Sequence, residues 1–227
     1  MTVMPEGEAG AAPPRVVLFD FDGVLIRGDS FYQFMRERYR RSPWRCALAL
    51  LCSPLLLLQR PFSRRWPMYT LVRIALLGLG ERRYQAAANT FAATLARRPR
   101  QFCRDGLQAL RRHQLAGDRV LVVTGCEHAL ASGILQQLGL TGLEVLASQL
   151  RPGWFGMRLL RHNVGQLKVQ SLAEHGIAAW QVAYGDSMYD AAMLKLAAEA
   201  VLVNGTPALC KKVEKALGRA ITRVEWF

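Results

Sequence analysis

Acidic side chains are scarce in this sequence: 17 Asp and Glu stand against 30 Lys and Arg in 227 residues, a formal net charge of +13. The deficit is local, because the stretch from Arg27 to Arg112 holds 18 arginines and 4 acids while the rest of the chain is close to neutral. A surplus concentrated in this way makes nucleic acid, an anionic membrane surface or phosphorylated substrates the candidate partners. Cysteine is sparse too: Cys46, Cys52, Cys103, Cys126 and Cys210 form no CxxC pair and no metal-ligand spacing with histidine. That argues against a disulfide scaffold and structural zinc, and for a reducing compartment. No apolar run reaches the ~20 residues a spanning helix needs. Residues 1–14 have neither a basic start nor an apolar stretch, so they are expected to be a disordered leader and not a signal peptide.

What is present is an apolar half of the composition, enough for a sizeable core, and one organising stretch, Val16-Val17-Leu18-Phe19-Asp20-Phe21-Asp22-Gly23-Val24. It reads as a fully buried strand delivering its last side chains to a site at its carboxyl end, with Asp20 and Asp22 on the same side if the strand is continuous. Two carboxylates so close repel unless a cation lies between them, or one is a nucleophile and the other holds a proton.

Beyond this strand, Ser30 and Gln33 predict a capping box opening a helix that Pro43 stops. Cys46 to Gln59 is uncharged and leucine-rich, with Pro54 inside it, and a second apolar run extends from Trp66 to Gly80. The basic, proline-containing segment 60–65 between them predicts a helical hairpin. Neither run has a polar face, so the pair is expected to dip into one leaflet, with arginines at anionic headgroups and Trp44 and Trp66 at the interface. Packing of the two runs on each other inside a water-soluble cap is the plainer alternative. Helices are predicted at 81–96 and 101–115. Regular α/β alternation follows: strands at 120–123, 144–150, 181–184 and 200–203, a hairpin turning at Arg151-Pro152-Gly153, and helices ending at Leu138, His175 and Leu217.

Four elements recur in order: DFDGV at 20–24, VVTG at 122–125, Lys168, and GDSMYD at 185–190. Each alone is common, but together, each after a buried strand or on the helix between, they point to phosphoryl handling. His113, His128, His162 and His175 match no motif. Cys126 lies beside the Thr124-Gly125 turn without a basic partner in sequence and is expected to be inert.

Over residues 15–30 and roughly 105–227, these motifs resemble the haloacid dehalogenase superfamily of aspartate-nucleophile phosphohydrolases, subfamily IB. The resemblance implies an α/β fold: a three-layer, Rossmann-like parallel-sheet core with a helical C1-type cap, residues 31–104, inserted after the first strand, the possible membrane hairpin being 44–80. It implies that Asp20 attacks phosphorus and that Asp22 acts as general acid and then base; superfamily members that dehalogenate lack this second Asp. It implies Mg²⁺ on the Asp20 carboxylate, the Asp22 main-chain carbonyl and Asp186, a donor set suited to a hard octahedral cation. Gly23, Thr124, Gly125 and Lys168 would contact the phosphate, and Asp190 would support Lys168 or metal-bound waters, although a first-turn helix acid is its plainer role. Val24 departs from the Thr found in many members.

The cap's order of features, including Arg65-Trp66-Pro67-Met68, is similar to the phosphatidylglycerophosphatase C family of bacteria. That resemblance implies conversion of phosphatidylglycerophosphate to phosphatidylglycerol, a phosphorylated anionic phospholipid as partner with membrane surface contact, and a place in the bacterial cytoplasm or at the cytoplasmic face of the inner membrane. Arg64, Arg65 and Arg73 are the expected headgroup contacts; no protein partner is expected. The alternatives are a soluble phosphoserine-phosphatase-like hydrolase of a small phosphorylated metabolite, and a non-enzymatic membrane- or nucleic-acid-binding module. Nucleic acid is disfavoured because the arginines are interleaved with leucine runs rather than stacking aromatics.

Overall fold

The computed structural model describes residues 14–59 and 65–226. The expected leader, apart from its last residue, and the basic turn at 60–64 lie outside the described residues. Seven strands form one sheet: β1 (Val16–Phe19), β2 (Arg119–Glu127), β3 (Glu144–Gly153), β4 (Gly156–Arg161), β5 (Val182–Gly185), β6 (Glu199–Val203) and β7 (Thr222–Val224). Their order is β4-β3-β2-β1-β5-β6-β7, and every neighbouring pair is parallel except the β3–β4 hairpin. β1 is central and almost wholly buried, as its unbroken apolar run requires of a parallel strand covered on both faces. Its side chains alternate, Val17 and Phe19 entering one core and Leu18 the other.

Between β1 and β2 the chain forms α1 (Ser30–Arg40), α2 (Pro43–Gln59), α3 (Arg65–Ala75), α4 (Glu81–Ala96) and α5 (Arg104–Leu115). After β2 comes α6 (His128–Gln137), which packs on α4 and whose Leu130, Ala131 and Ile134 belong to the same core on the Phe19 face as Ala109 and Leu110 of α5. α7 (Gln166–Glu174), α8 (Ala191–Leu196) and α9 (Pro207–Leu217) cover the other face through Leu172, Leu194 and Val213. Helix, sheet and helix layers make this an α/β fold with a mostly parallel sheet.

Several local expectations are corrected. α1 is capped by Asp29 instead of Ser30: the Asp29 carboxylate accepts from Tyr32 N at 2.7 Å, and Ser30 is already helical. The capping-box pattern misled because Asp29 is an equally good cap one residue earlier. Pro43 opens α2 rather than merely ending α1, a position that needs no N–H. α2 also runs through Pro54; the Leu50 carbonyl deprived of that N–H is the acceptor for the Ser53 hydroxyl at 2.7 Å. α3 ends at Ala75, five residues before the apolar run does, and the β3–β4 turn falls after Gly153. β7 was not anticipated, and α8 only through the alternative reading of Asp190 as a first-turn acid. No helix among the described residues is long and apolar enough to cross a membrane.

The inserted helices are fastened to the core at three places. Ile26 bridges Phe102 where the chain leaves and re-enters, with Arg27 N donating to Gln101 O and Cys103 N to Leu25 O. Tyr84 of α4 donates its hydroxyl to Glu127 at the end of β2, and both are buried. After α3, Leu77 bridges Gly156 and Gly78 N donates to Phe155 O at 2.8 Å. Gly156 has φ +135°, and a Cβ there would stand 2.3 Å from Leu76 O, so the junction requires glycine.

Candidate active site

β1 ends at Phe19, one residue before the first carboxylate, so Asp20 and Asp22 leave the sheet edge on a turn and not on a continuous strand. The turn closes by Gly23 N donating to Ile26 O, with Gly23 at φ +82°. A Cβ on Gly23 would lie 1.9 Å from Asp186 Oδ2; the missing side chain is what admits that carboxylate against the Asp22–Gly23 backbone. Asp22 turns its own carboxylate to the start of α1, where Ser30 N donates to Oδ1 at 2.8 Å.

Lys168 reaches the same point from α7. Its buried ammonium lies 2.8 Å from Asp20 Oδ1 and 2.6 Å from Asp190 Oδ1. Asp190 spends its other oxygen on Asp186 N, Ser187 N and the Ser187 hydroxyl, a capping box that fixes the 3₁₀ turn Met188–Asp190. Asp20 Oδ2 accepts no hydrogen bond among the described residues.

Thr124 and Gly125 enter from β2, where its register with β3 shifts between Val123 and Glu127. The irregularity swings this segment out of the ladder. Thr124 Oγ1 accepts from Cys126 N at 2.9 Å, which leaves the hydroxyl proton available to a ligand. A relay that sequence did not expose ties this turn to the helix of Lys168. The Ser148 hydroxyl donates to Gly125 O at 2.7 Å, Asn163 N donates to Ser148 Oγ at 2.9 Å, and the Ser171 hydroxyl donates to Asn163 Oδ1 at 2.8 Å. Ser148, Asn163 and Ser171 are all buried. Only the burial of Asn163, in the connection between β4 and α7, could have flagged it, and burial is a property of the fold.

The electrostatics favour protonation. Burial, followed by the Asp29 charge, pushes the Asp22 carboxyl up to about 7. Burial and then Asp190 push Asp186 up to about 6. Asp20 is raised by burial and by Asp190, with Lys168 pulling it back. Burial disfavours the Lys168 ammonium, but Asp190 and Asp20 outweigh it and hold the lysine charged well beyond its ordinary range. Burial, and then the Asp22 charge, keep the Cys126 thiol protonated, against the hydrogen bond that the Ser30 hydroxyl donates to it.

Three acids, Asp20, Asp186 and Asp190, can each place one oxygen within 4.8 Å of the others. The donors are hard oxygens crowded without enough positive charge, which fits a divalent cation. Because both Asp190 oxygens are already engaged, Asp20 and Asp186 are the side chains free to bind one. The Asp22 carboxylate is not in this cluster.

These groups open into one cavity of about 1680 Å³. Its floor is Asp20, Asp22, Thr124, Gly125, Lys168, Asp186 and Asp190; the roof comes from α1 and α3, including Met35, Arg36, Pro67, Met68 and Leu71, with Leu57 of α2 at its edge. Arg73 is exposed on α3 and does not line it, and Arg64 lies outside the described residues.

Among solved structures, the fold resembles a protein of unknown function from Bordetella pertussis Tohama I, with 19% identity and a TM-score of 0.70 over 93% of this chain and 99% of that one. It also resembles a HAD family hydrolase from Salmonella enterica serovar Typhi (15% identity, TM-score 0.62, 93% and 68% covered). A substrate-bound phosphoserine phosphatase matches at 17% identity and a TM-score of 0.58 over 94% of each chain. The model of the haloacid dehalogenase-like hydrolases matches residues 17–195, from the central strand through both acid-bearing turns, and the chain is an enzyme of that family.

Proposed function

We propose that the protein hydrolyses phosphomonoesters through an aspartyl-phosphate on Asp20, and that its substrate is phosphatidylglycerophosphate. The observation that supports the chemistry most is the placing of a carboxylate with one oxygen on Lys168 and the other unengaged, facing a cavity floored by Thr124 and Gly125. In the first step Asp20 Oδ2 bonds to phosphorus while the bond to the leaving alcohol breaks, and Asp22 supplies the proton to that alcohol. In the second, Asp22 takes a proton from water as the water oxygen attacks phosphorus, and the bond to Asp20 breaks. A group held near 7 is suited to both duties. Lys168, the Thr124 hydroxyl and the Gly125 amide would hold the phosphoryl oxygens as charge spreads over them. Mg²⁺ held by Asp20, Asp186 and the Asp22 carbonyl would neutralise the phosphate and let Asp20 ionise.

The lipid substrate is supported by the cap. The roof of the cavity is mostly apolar, and α2 turns Leu50, Leu51, Leu55, Leu57 and Leu58 to the outside, each more than half exposed. The β3–β4 tip adds Trp154 and Phe155, also exposed. Together with the surrounding arginines, such a face suits an anionic bilayer surface, and the cytoplasmic side of the membrane is the proposed place of action. A small soluble phosphomonoester is the second reading, favoured by the similarity of the fold to phosphoserine phosphatases. Mg²⁺-dependent phosphate release from phosphatidylglycerophosphate in mixed micelles, set against a panel of soluble phosphomonoesters, tests both. Preference for a soluble ester would remove the lipid assignment and leave the chemistry.

A further inference from the structure

The arginines around the cavity are not equivalent. Arg38 donates to Ala75 O, Arg45 donates to Leu77 O, and Arg41 and Arg98 both pair with Glu37. These four brace the cap. Arg36 pairs with no carboxylate among the described residues, and among the arginines whose surroundings are described it alone lines the cavity that holds Asp20 and Asp22. It projects from the same helix whose first N–H anchors Asp22. Six residues further along, it stands about 9 Å down the axis from that anchor at 1.5 Å per residue. Tyr32, one turn earlier, lines the same wall.

We propose that Arg36 forms a second anion subsite on the leaving-group side of the cavity, selecting phosphomonoesters whose alcohol bears a further phosphate or phosphodiester a few atoms from the scissile group. The inference rests on the phosphoryl chemistry assigned above to Asp20 and Asp22. The scissile phosphate lies against Lys168, the leaving oxygen faces Asp22, and whatever extends beyond Asp22 along α1 meets the Arg36 guanidinium. A guanidinium matches a phosphate oxygen pair in a planar, two-bond contact, which a lysine at the same place does not. Arg36 is exposed, as are Met68 and Leu71 across from it, so the contact is made at the water-accessible mouth of the cavity and its contribution is that of a surface pairing. The contact is made equally before and during phosphoryl transfer, so its loss falls on KM and not on kcat.

The test compares wild type with Arg36→Ala and Arg36→Lys on glycerol 3-phosphate, glycerol 1,3-bisphosphate and micellar phosphatidylglycerophosphate. The expected result is that Arg36→Ala raises KM for the bisphosphate about fivefold more than for the monophosphate, with lysine recovering only part. Equal losses on both soluble esters would overturn the subsite. So would a loss confined to micelles that contain other anionic lipid, because Arg36 would then act by attraction to the surface. Binding to the Asp20→Asn protein, measured by calorimetry, separates this inference from the chemistry. If the wild-type protein turns over no ester but the bisphosphate still binds tighter than the monophosphate through Arg36, the subsite stands and the hydrolytic assignment falls. If the two bind alike, the subsite falls whatever the turnover.

Discussion

Lys168 and Asp190 meet at 2.6 Å with both side chains buried, and the remaining Asp190 oxygen is held by the turn that carries Asp186. The lysine is thereby fixed by one acid so that it can face another. Removing one partner of a buried charge pair costs about 3–5 kcal/mol, because the other is left without compensation. Lys168→Met is expected to lose that order of stability in urea unfolding and to lower kcat by about 100-fold or more through the missing positive charge at the phosphate. Asp190→Asn, which retains an acceptor for Lys168, is expected to lose less of both.

Asp20→Asn should leave the thermal unfolding profile close to wild type or stabilised, since it relieves carboxylate crowding around Asp186 and Asp190. Its turnover should fall below detection, and no phosphorylated enzyme should be trapped by acid quench. Full activity of this variant would remove the covalent route.

In EDTA the crowded acids make stability depend on pH. Asp22 and Asp186 titrate near 7 and 6 in the folded chain, above their values when unfolded, so the folded state binds more protons between pH 4 and 7. Stability of the metal-free protein is therefore greatest near pH 4 on account of these groups and is lost as pH rises through 7. Tm measured in EDTA should fall over that window. Added Mg²⁺ should restore Tm most at pH 7.5 and least at pH 5, and hydrolysis should be silenced by EDTA and recovered by the metal.

The proposed membrane contact is tested on α2 alone, because deleting Cys46 to Gly80 would also remove Ala75, Leu76 and Leu79 from the core. Leu51→Asp, Leu55→Asp and Leu58→Asp together fall on exposed positions of α2 and leave that core intact. The triple variant should keep wild-type unfolding behaviour while flotation with anionic liposomes drops several-fold. Unchanged flotation would refute contact through α2.

Asn163 is a positioning residue: it touches neither acid nor lysine but joins the Gly125 strand to the helix bearing Lys168. Asn163→Ala leaves the Ser171 hydroxyl and the Leu146 carbonyl without their partner, at about 1–3 kcal/mol. kcat should fall with little change in KM, and Asn163→Asp, which keeps the acceptor for Ser171, should recover part of it.

The central strand, the sheet class and the gathering of Asp20, Asp186 and Thr124 at one sheet edge were legible because each acid or hydroxyl follows a buried apolar run, a signal written in consecutive residues; Lys168, inside α7, was legible only through its order among the other motifs. The orientation of Asp22 was not. It depends on the strand ending at Phe19 and on a backbone amide eight residues later. The role of Glu127 was equally hidden: it caps α6 and receives the Tyr84 hydroxyl 43 residues away, a pairing that no local pattern encodes. Asp29 shows how near neighbours with the same capping chemistry leave a boundary uncertain by one residue. Arg36 could not be singled out from the sequence, because four of its neighbours have the same charge and only the folded chain shows which of them are already engaged.

Gly156 sets a limit on how the inserted helices move. Hooked there as well as at Ile26 and Glu127, they cannot swing away as one rigid hood on a two-stranded stalk. Admission to the acids then calls for bending within α2, which carries none of the three fastenings, so on the proposed lipid reading the gate would share its surface with the bilayer contact and the docked enzyme would open toward its supply of lipid.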